Sequence, residues 1–281
     1  MNIGLVLSGG MAKGAFQIGA LRALRKYIPL EEIKYMSCSS IGVLNGYAFA
    51  VDRLDKAEQM WKNICNEDAR FLIGQILRSS MLQNHIVNIH DNEKMPDFPF
   101  YCALLDMNCR NIVYKDLSSV ENEQISQYLK ASVAMPIYNR AVKIDGAAYF
   151  DGAMVDNIPV YPLLNAPLDY VICIYFDDVC YKFENACFDK RVIKITFPCS
   201  GGLKRSLVFK QDGIEKMIRD GYERTVELIE PIFLNGYQDL EYIYQAIGNT
   251  SKENRRLRIT GDVLVTNLNK ITQQLAKRKI M

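Results

Sequence analysis

Two short segments constrain this chain more than any other part of it: Ser8-Gly9-Gly10-Met11-Ala12-Lys13-Gly14, and Cys38-Ser39-Ser40-Ile41-Gly42 about one βα unit later. Each follows an apolar run of the kind a buried parallel strand requires, Ile3 to Leu7 in the first case and Ile33 to Met36 in the second. Each also opens a stretch that reads as helix. Phe16, Ile18, Leu21 and Leu24 keep helical spacing up to Pro29, and Ile41 to Val51 is rich in small residues suited to close packing beside a sheet. The first turn offers backbone N–H groups at a helix N-terminus, where an anion is welcome. The second puts a small hydroxyl residue on a tight strand-to-helix turn, the setting of a serine nucleophile.

The rest of the chain continues the alternation. Phe100 to Leu105 and Asn111 to Tyr114 read as strands joined by a turn at Asp106 to Arg110, and Glu121 to Ala131 reads as helix. Asp145-Gly146 inside Lys143 to Asp151 is a hairpin signal. Tyr170 to Tyr175 and Val192 to Phe197 are further strands, and the chain is mostly helical from Phe209. Asp52 is placed to cap a helix over Asp52 to Cys65. Arg70 to His90 has a roughly helical apolar pattern that suits either a core helix or an amphipathic lid over a lipid site. The expected architecture is α/β, with a mostly parallel sheet between helices. Residues 1–230 form the main domain, and 231–281 a helical C-terminal extension packed on it.

Composition removes several function classes. Apolar residues at 49% and charged residues at 23% are ordinary globular values, which argues against disorder. A formal net charge of +2 supplies no basic stripe for nucleic acid. The eight cysteines contain no C-x-x-C pair, which excludes the usual structural zinc spacing. Several sit inside apolar runs, as reduced buried thiols of a cytoplasmic protein do. The N-terminus lacks a basic n-region and a long h-region, and no apolar stretch reaches the roughly 18 residues that span a bilayer. Membrane contact is therefore expected to be peripheral. The basic tail Lys277-Arg278-Lys279 reads as a solvated helix end, since charges near an anionic surface contribute only about 1 kcal/mol each.

An anion cradle followed by a nucleophile is half of an acyl-transfer site. A serine hydroxyl attacks only when a neighbouring base takes its proton. The oxyanion then needs fixed donors, each worth about 3–4 kcal/mol of barrier. Ser40 has the context for attack, and the N–H groups of Gly10 and Met11 the context for the oxyanion. His85 and His90 lie within or beside the ambiguous apolar segment, away from any strand end, and read as surface or lid-packing residues. Asp151 directly follows the β-prone Ala148-Tyr149-Phe150, and a strand end is where a sheet enzyme presents its chemistry. Asp145 and Asp156 read as turn formers, with Asp156 a second candidate for the base.

Four stretches together resemble the patatin-like phospholipase family. Leu7 to Phe16 is similar to its Gly-rich loop, and Cys38 to Asn45 to its G-x-S-x-G elbow and following helix. Ala131-Ser132-Val133-Ala134-Met135-Pro136 is similar to its A-S-x-A-x-P segment. Phe150 to Ala153 with Asn157 to Val160 is similar to its D-G-[GA] box. Order and spacing agree from about residue 2 to about residue 222. The resemblance implies a three-layer α/β/α fold and a Ser–Asp dyad with Ser40 as nucleophile and Asp151 as base. It implies an oxyanion hole from Gly9, Gly10 and Met11, supported by Lys13, Gly14, Gly42 and Gly152. It also implies hydrolysis of fatty-acyl esters of (lyso)phospholipids or related lipids, with no cofactor and no metal.

Taken singly, these motifs have plainer readings. Gly9-Gly10 suits any tight βα turn, although its spacing is not G-x-G-x-x-G. Ser40 alone suits a helix N-cap, and Lys13 alone a surface salt bridge. Two residues depart from the family pattern. Met11 stands at the third glycine of the loop and Cys38 at the first glycine of the elbow. A positive φ at Met11 makes its side chain costly; a negative φ makes it harmless. Two other functions remain open: a catalytically weak lipid-binding or regulatory protein, and a thioesterase or small-ester hydrolase.

Overall fold

The structure is a computed structural model, described here over residues 1–63, 71–72, 80–90, 94–136, 138–177, 180–183, 185–197, 208–209, 211–250 and 256–258. In chain order the elements begin β1 (Ile3–Leu7), α1 (Gly14–Tyr27), β2 (Ile33–Ser39), α2 (Ile41–Ala50), α3 (Leu54–Asn63), β3 (Phe71–Leu72) and α4 (Ser80–Ile89). They continue with β4 (Phe100–Asp106), β5 (Asn111–Asp116), α5 (Asn122–Ser132), β6 (Val142–Ile144) and β7 (Ala147–Asp151). The remainder are β8 (Tyr170–Phe176), β9 (Tyr181–Phe183), α6 (Ala186–Asp189), β10 (Val192–Phe197), β11 (Val208–Phe209), α7 (Gln211–Ile229), α8 (Leu240–Thr250) and β12 (Arg256–Arg258).

The central sheet runs β10-β8-β1-β2-β4, and these five strands are parallel. Antiparallel β5 pairs with β4 along Tyr101–Asp106. Antiparallel β7 pairs with β4 at Leu104–Asp106 and carries β6 as its hairpin partner. Alternation along the central strands shows that both faces are covered. Leu5 and Leu7 of β1 join the main core with α1 and α2, whereas Val6 joins a second cluster with Ile158, Leu163 and Phe188. That second face is covered by short helical turns, Tyr161–Leu163 and α6, rather than by long helices. The fold is thus α/β, with a mixed, mostly parallel sheet and flanking helices.

Helices α1 and α7 cross closely because each carries a glycine at the contact. A Cβ on Gly19 would meet the Ile218 carbonyl oxygen at 1.9 Å, and one on Gly221 would meet that of Phe16 at 2.2 Å. Two expectations change. Asp52 does not N-cap α3, which starts at Leu54: it occupies the turn that closes α2, at φ 58°, and is ion-paired with Arg25. In the ambiguous segment, α4 buries Leu82, Ile86 and Ile89, so this described part is core; residues 73–79 lie outside the described residues. In the expected C-terminal extension α8 is helical, but Arg256–Arg258 departs from helix as a strand paired with β9. The tail Lys277–Lys279 lies outside the described residues, as do Cys65 and Cys199.

Candidate active site

Register explains how two residues far apart in the chain come to touch. β5 takes one edge of β4, so β2 and β7 share the other. β2 runs along that edge and ends with Ser39 opposite Ala103. β7 runs the opposite way and ends with Asp151 opposite Leu104, the next residue. The two strands therefore meet end to end, and the residue after β2, Ser40, faces the last residue of β7. Ser40 Oγ donates to Asp151 Oδ2 at 2.5 Å. Asp151 lies at a sheet edge where parallel strands end, although its own strand is antiparallel, because β7 starts beyond that edge and stops at it.

Each partner is fixed by its backbone. Ser40 has φ 53° and ψ −133°, an uncommon conformation for a residue with a side chain, costing of order 1–3 kcal/mol. It sits at the N-cap position of α2, but its hydroxyl makes no cap bond and turns to Asp151 instead. Asp151 donates its backbone N–H to the Ala134 carbonyl at 2.9 Å, which gives the Ala131–Pro136 segment a structural purpose. Its Oδ1 accepts from Ala153 N at 2.9 Å. Ser40 is 9% exposed and Asp151 3%. Burial pushes the Asp151 carboxyl up from its ordinary value to about 7, against the Ser40 and Ala153 donors, which pull it down.

The glycines mark where chains pass too closely for a side chain. A Cβ on Gly9 would lie 2.7 Å from Ser40 Cβ, so the Gly-rich loop rests on the Ser40 turn. A Cβ on Gly42 would meet the Ser8 carbonyl oxygen at 2.7 Å, and one on Gly152 the Ala103 backbone at 2.5 Å. Gly14 faces the Trp61 ring, and the Phe176 ring occupies the space a Gly10 side chain would need. Lys13 closes the 3-10 turn of the loop through its N–H to the Gly10 carbonyl. Met11 has φ 53°, the costly alternative of the two. Cys38 is accommodated in buried β2 by Gly46, where any Cβ would approach Cys38 Sγ to 2.7 Å.

The loop is held by residues that sequence reasoning did not single out. Gly9 N–H donates to the Asn157 carbonyl at 3.3 Å, and Asn157 Nδ2 donates to the Gly9 carbonyl at 3.3 Å. The Gly9 N–H is thus engaged, and the N–H groups that continue the loop belong to Gly10 and Met11. Beneath the loop, Gln17, Asn45 and Trp61 form a buried hydrogen-bonded chain ending on the Ser8 carbonyl. Asn45 and Asn157 stood inside recognisable motifs, so their positions were visible, whereas Trp61 carried no sequence signal.

The other titratable candidates lie elsewhere. His90 is buried rather than superficial: its ring contacts the Tyr47 hydroxyl at 2.7 Å and the Asn122 carbonyl at 2.9 Å, which ties α2 to α5. His85 is partly buried, and desolvation holds its pKa below the ordinary value. Asp156 is buried, accepts from the Tyr114 hydroxyl at 2.7 Å, and receives Ser39 Oγ on its carbonyl at 3.0 Å. It braces the elbow, and Asp151 is the carboxylate bonded to Ser40. Asp145 sits in the β6–β7 turn at φ 49°. Among the described residues no cluster of three or more His, Cys, Asp or Glu could hold a metal ion. No helix among them is long and apolar enough to cross a membrane.

A serine on a strained strand-to-helix turn, bonded to a buried carboxyl beneath a Gly-rich loop, defines a class of α/β proteins that carry a Ser–Asp pair at a sheet edge. The Patatin-like phospholipase family model matches residues 5–164, more than half of the chain, and the chain belongs to that family. It is 28% identical over 176 residues to "Lysophospholipase NTE1" of Cryptococcus neoformans, which covers 58% of this chain and 10% of that protein. It is 24% identical over 184 residues to an uncharacterised NTE family protein of Mycobacterium tuberculosis, covering 62% of this chain and 48% of that one. The chain thus spans about half the length of the mycobacterial relative and about a tenth of the fungal one. The crystal structure of VipD from Legionella pneumophila aligns at a TM-score of 0.46 with 11% identity, covering 91% of this chain and 71% of that one.

Proposed function

We propose that this chain is a serine acyl hydrolase acting on fatty-acyl esters of phospholipids, lysophospholipids or related lipids. The observation that carries the reading is the 2.5 Å bond from Ser40 Oγ to a buried Asp151 carboxyl, made by a serine held at positive φ. Asp151 accepts the hydroxyl proton as Ser40 Oγ bonds to the ester carbonyl carbon. The N–H groups of Gly10 and Met11 receive the oxyanion. The alcohol leaves with the proton from Asp151, and an acyl-Ser40 ester remains. Water attacks that ester, Asp151 takes its proton, and the fatty acid departs as Ser40 recovers its hydrogen. In this reading Gly9 gives close approach to the nucleophile, and Lys13, Gly14, Gly42 and Gly152 support the loop and the elbow.

The lipid class of substrate is supported by the family and by the lysophospholipase name of a relative. Contact with a membrane is peripheral in this reading, and residues 231–281 pack on the domain of 1–230 as an extension. The test is covalent labelling. A fluorophosphonate is expected to modify Ser40 stoichiometrically, and Ser40→Ala to abolish both labelling and esterase activity. Asp151→Asn is expected to lower kcat by about 10²–10⁴-fold. Full activity in Ser40→Ala sinks the proposal. An unlabelled wild type favours a binding protein on the same fold, the reading that the positive φ at Met11 supports.

A further inference from the structure

We infer that Trp61, Asn45 and Gln17 form a polarised hydrogen-bond relay that aims the oxyanion loop, with Asn157 as the opposing clamp. The inference rests on the acyl-hydrolase reading and assigns positioning residues to that site. The relay runs through three helices. Trp61 Nε1 of α3 donates to Asn45 Oδ1 of α2 at 3.0 Å, and Asn45 Nδ2 donates to Gln17 Oε1 of α1 at 2.8 Å. Gln17 Nε2 then donates to the Ser8 carbonyl at 2.7 Å. The second Asn45 amide hydrogen goes to the Gly14 carbonyl at 2.9 Å, so both ends of the loop are held from beneath.

The direction of every bond is determined from two sides. An indole N–H only donates, so the Asn45 atom facing Trp61 is the oxygen and the amide nitrogen faces inward. A backbone carbonyl only accepts, so the Gln17 atom facing Ser8 is the nitrogen and its oxygen faces Asn45. Neither amide can flip without leaving a buried donor against a donor. All three side chains are buried, so water offers no substitute partner.

This rigidity reaches the loop N–H groups through peptide planarity, since C=O and N–H of a trans peptide point in opposite directions. Gln17 holds the Ser8 carbonyl on one side, and the Gly9 N–H of the same peptide points across to the Asn157 carbonyl. Asn157 Nδ2 and Ser8 Oγ hold the Gly9 carbonyl, so the Gly10 N–H of the next peptide points away from them. The frame also retains Met11 at a positive φ that its side chain opposes. Trp61 and Gln17 therefore act on chemistry that neither touches.

The test measures Ser40 phosphonylation by a short-chain fluorophosphonate, together with kcat and KM for a chromogenic short-chain ester. The variants are Asn45→Asp, which removes both amide donors at constant size, and Trp61→Phe, which removes the indole N–H. Both are expected to lower kcat and the labelling rate by about 10–100-fold, with KM within about threefold of wild type. The control Phe188→Leu perturbs the cluster on the opposite face of the sheet and should lower the thermal midpoint with kcat unchanged. Should Asn45→Asp not fold, Trp61→Phe decides. Relay variants with wild-type kcat overturn the inference, as does a loss of kcat in equal measure in the control. A wild type that is never labelled overturns the acyl-hydrolase reading instead.

Discussion

At the scale of single residues, the Asp151 carboxyl and the Met11 backbone each carry a measurable consequence. The carboxyl titrates near 7 because burial favours its neutral form. As the proposed base it must be ionised, so kcat/KM should rise tenfold per pH unit below about 7 and level off above it. Stability should move the other way. The folded chain retains a proton that the unfolded chain has released, so stability falls as pH rises from 3.8 towards 7. Asp151→Asn should remove the activity limb and flatten that slope, which urea melts at several pH values would read. Met11 allows a cleaner comparison. Met11→Gly and Met11→Ala lose the same packing, but only glycine is at ease at φ 53°. Met11→Gly should therefore be more stable than Met11→Ala by about 1 kcal/mol, measured by chemical denaturation.

At the scale of elements, α1 is the helix most tightly constrained. It carries the loop at one end, Gln17 in its first turns, and Gly19 at the crossing with α7. Gly19→Ala should cost about 3 kcal/mol, because the neighbour to be displaced is a backbone carbonyl rather than a flexible side chain. Gly248 of α8 has nothing within 4 Å of a built Cβ. Gly248→Ala should therefore raise stability by about 0.5–1 kcal/mol; paired thermal melts would check both. Element identity was largely legible in the sequence, because strand runs and helical spacing are local signals. The Asp145-Gly146 turn, for instance, adopts the two positive φ values that its residues favour. The misread cap at Asp52 shows the limit. Aspartate suits a cap and a left-handed turn alike, and the end of α2 selects the turn: Asp52 N–H donates to the Phe49 carbonyl and Arg53 N–H to the Ala48 carbonyl, closing that helix on a residue at positive φ.

At the scale of the whole molecule, local pattern made Ser40 and Asp151 legible as separate candidates, and the family resemblance paired them, but no local signal shows how they meet. That meeting depends on two strands sharing one edge of β4 from opposite directions, a fact of sheet topology. His90 was misjudged for a related reason. Its flanking residues look peripheral, and only the packing of α2 against α5 buries it. The relay beneath the loop was the least legible part, since hydrogen bonds among three helices leave no local pattern.

Trp61 is the chain's single tryptophan, so every indole signal of the protein originates at the far end of that relay. In a nitrogen–proton correlation spectrum the protein should show one indole cross-peak, displaced downfield by its bond to Asn45. Covalent occupation of Ser40 should shift this peak although no ligand atom touches the ring. A peak unmoved by phosphonylation would show the loop and the indole to be uncoupled. The protein thus carries a native spectroscopic probe of its own Gly-rich loop, readable without a label.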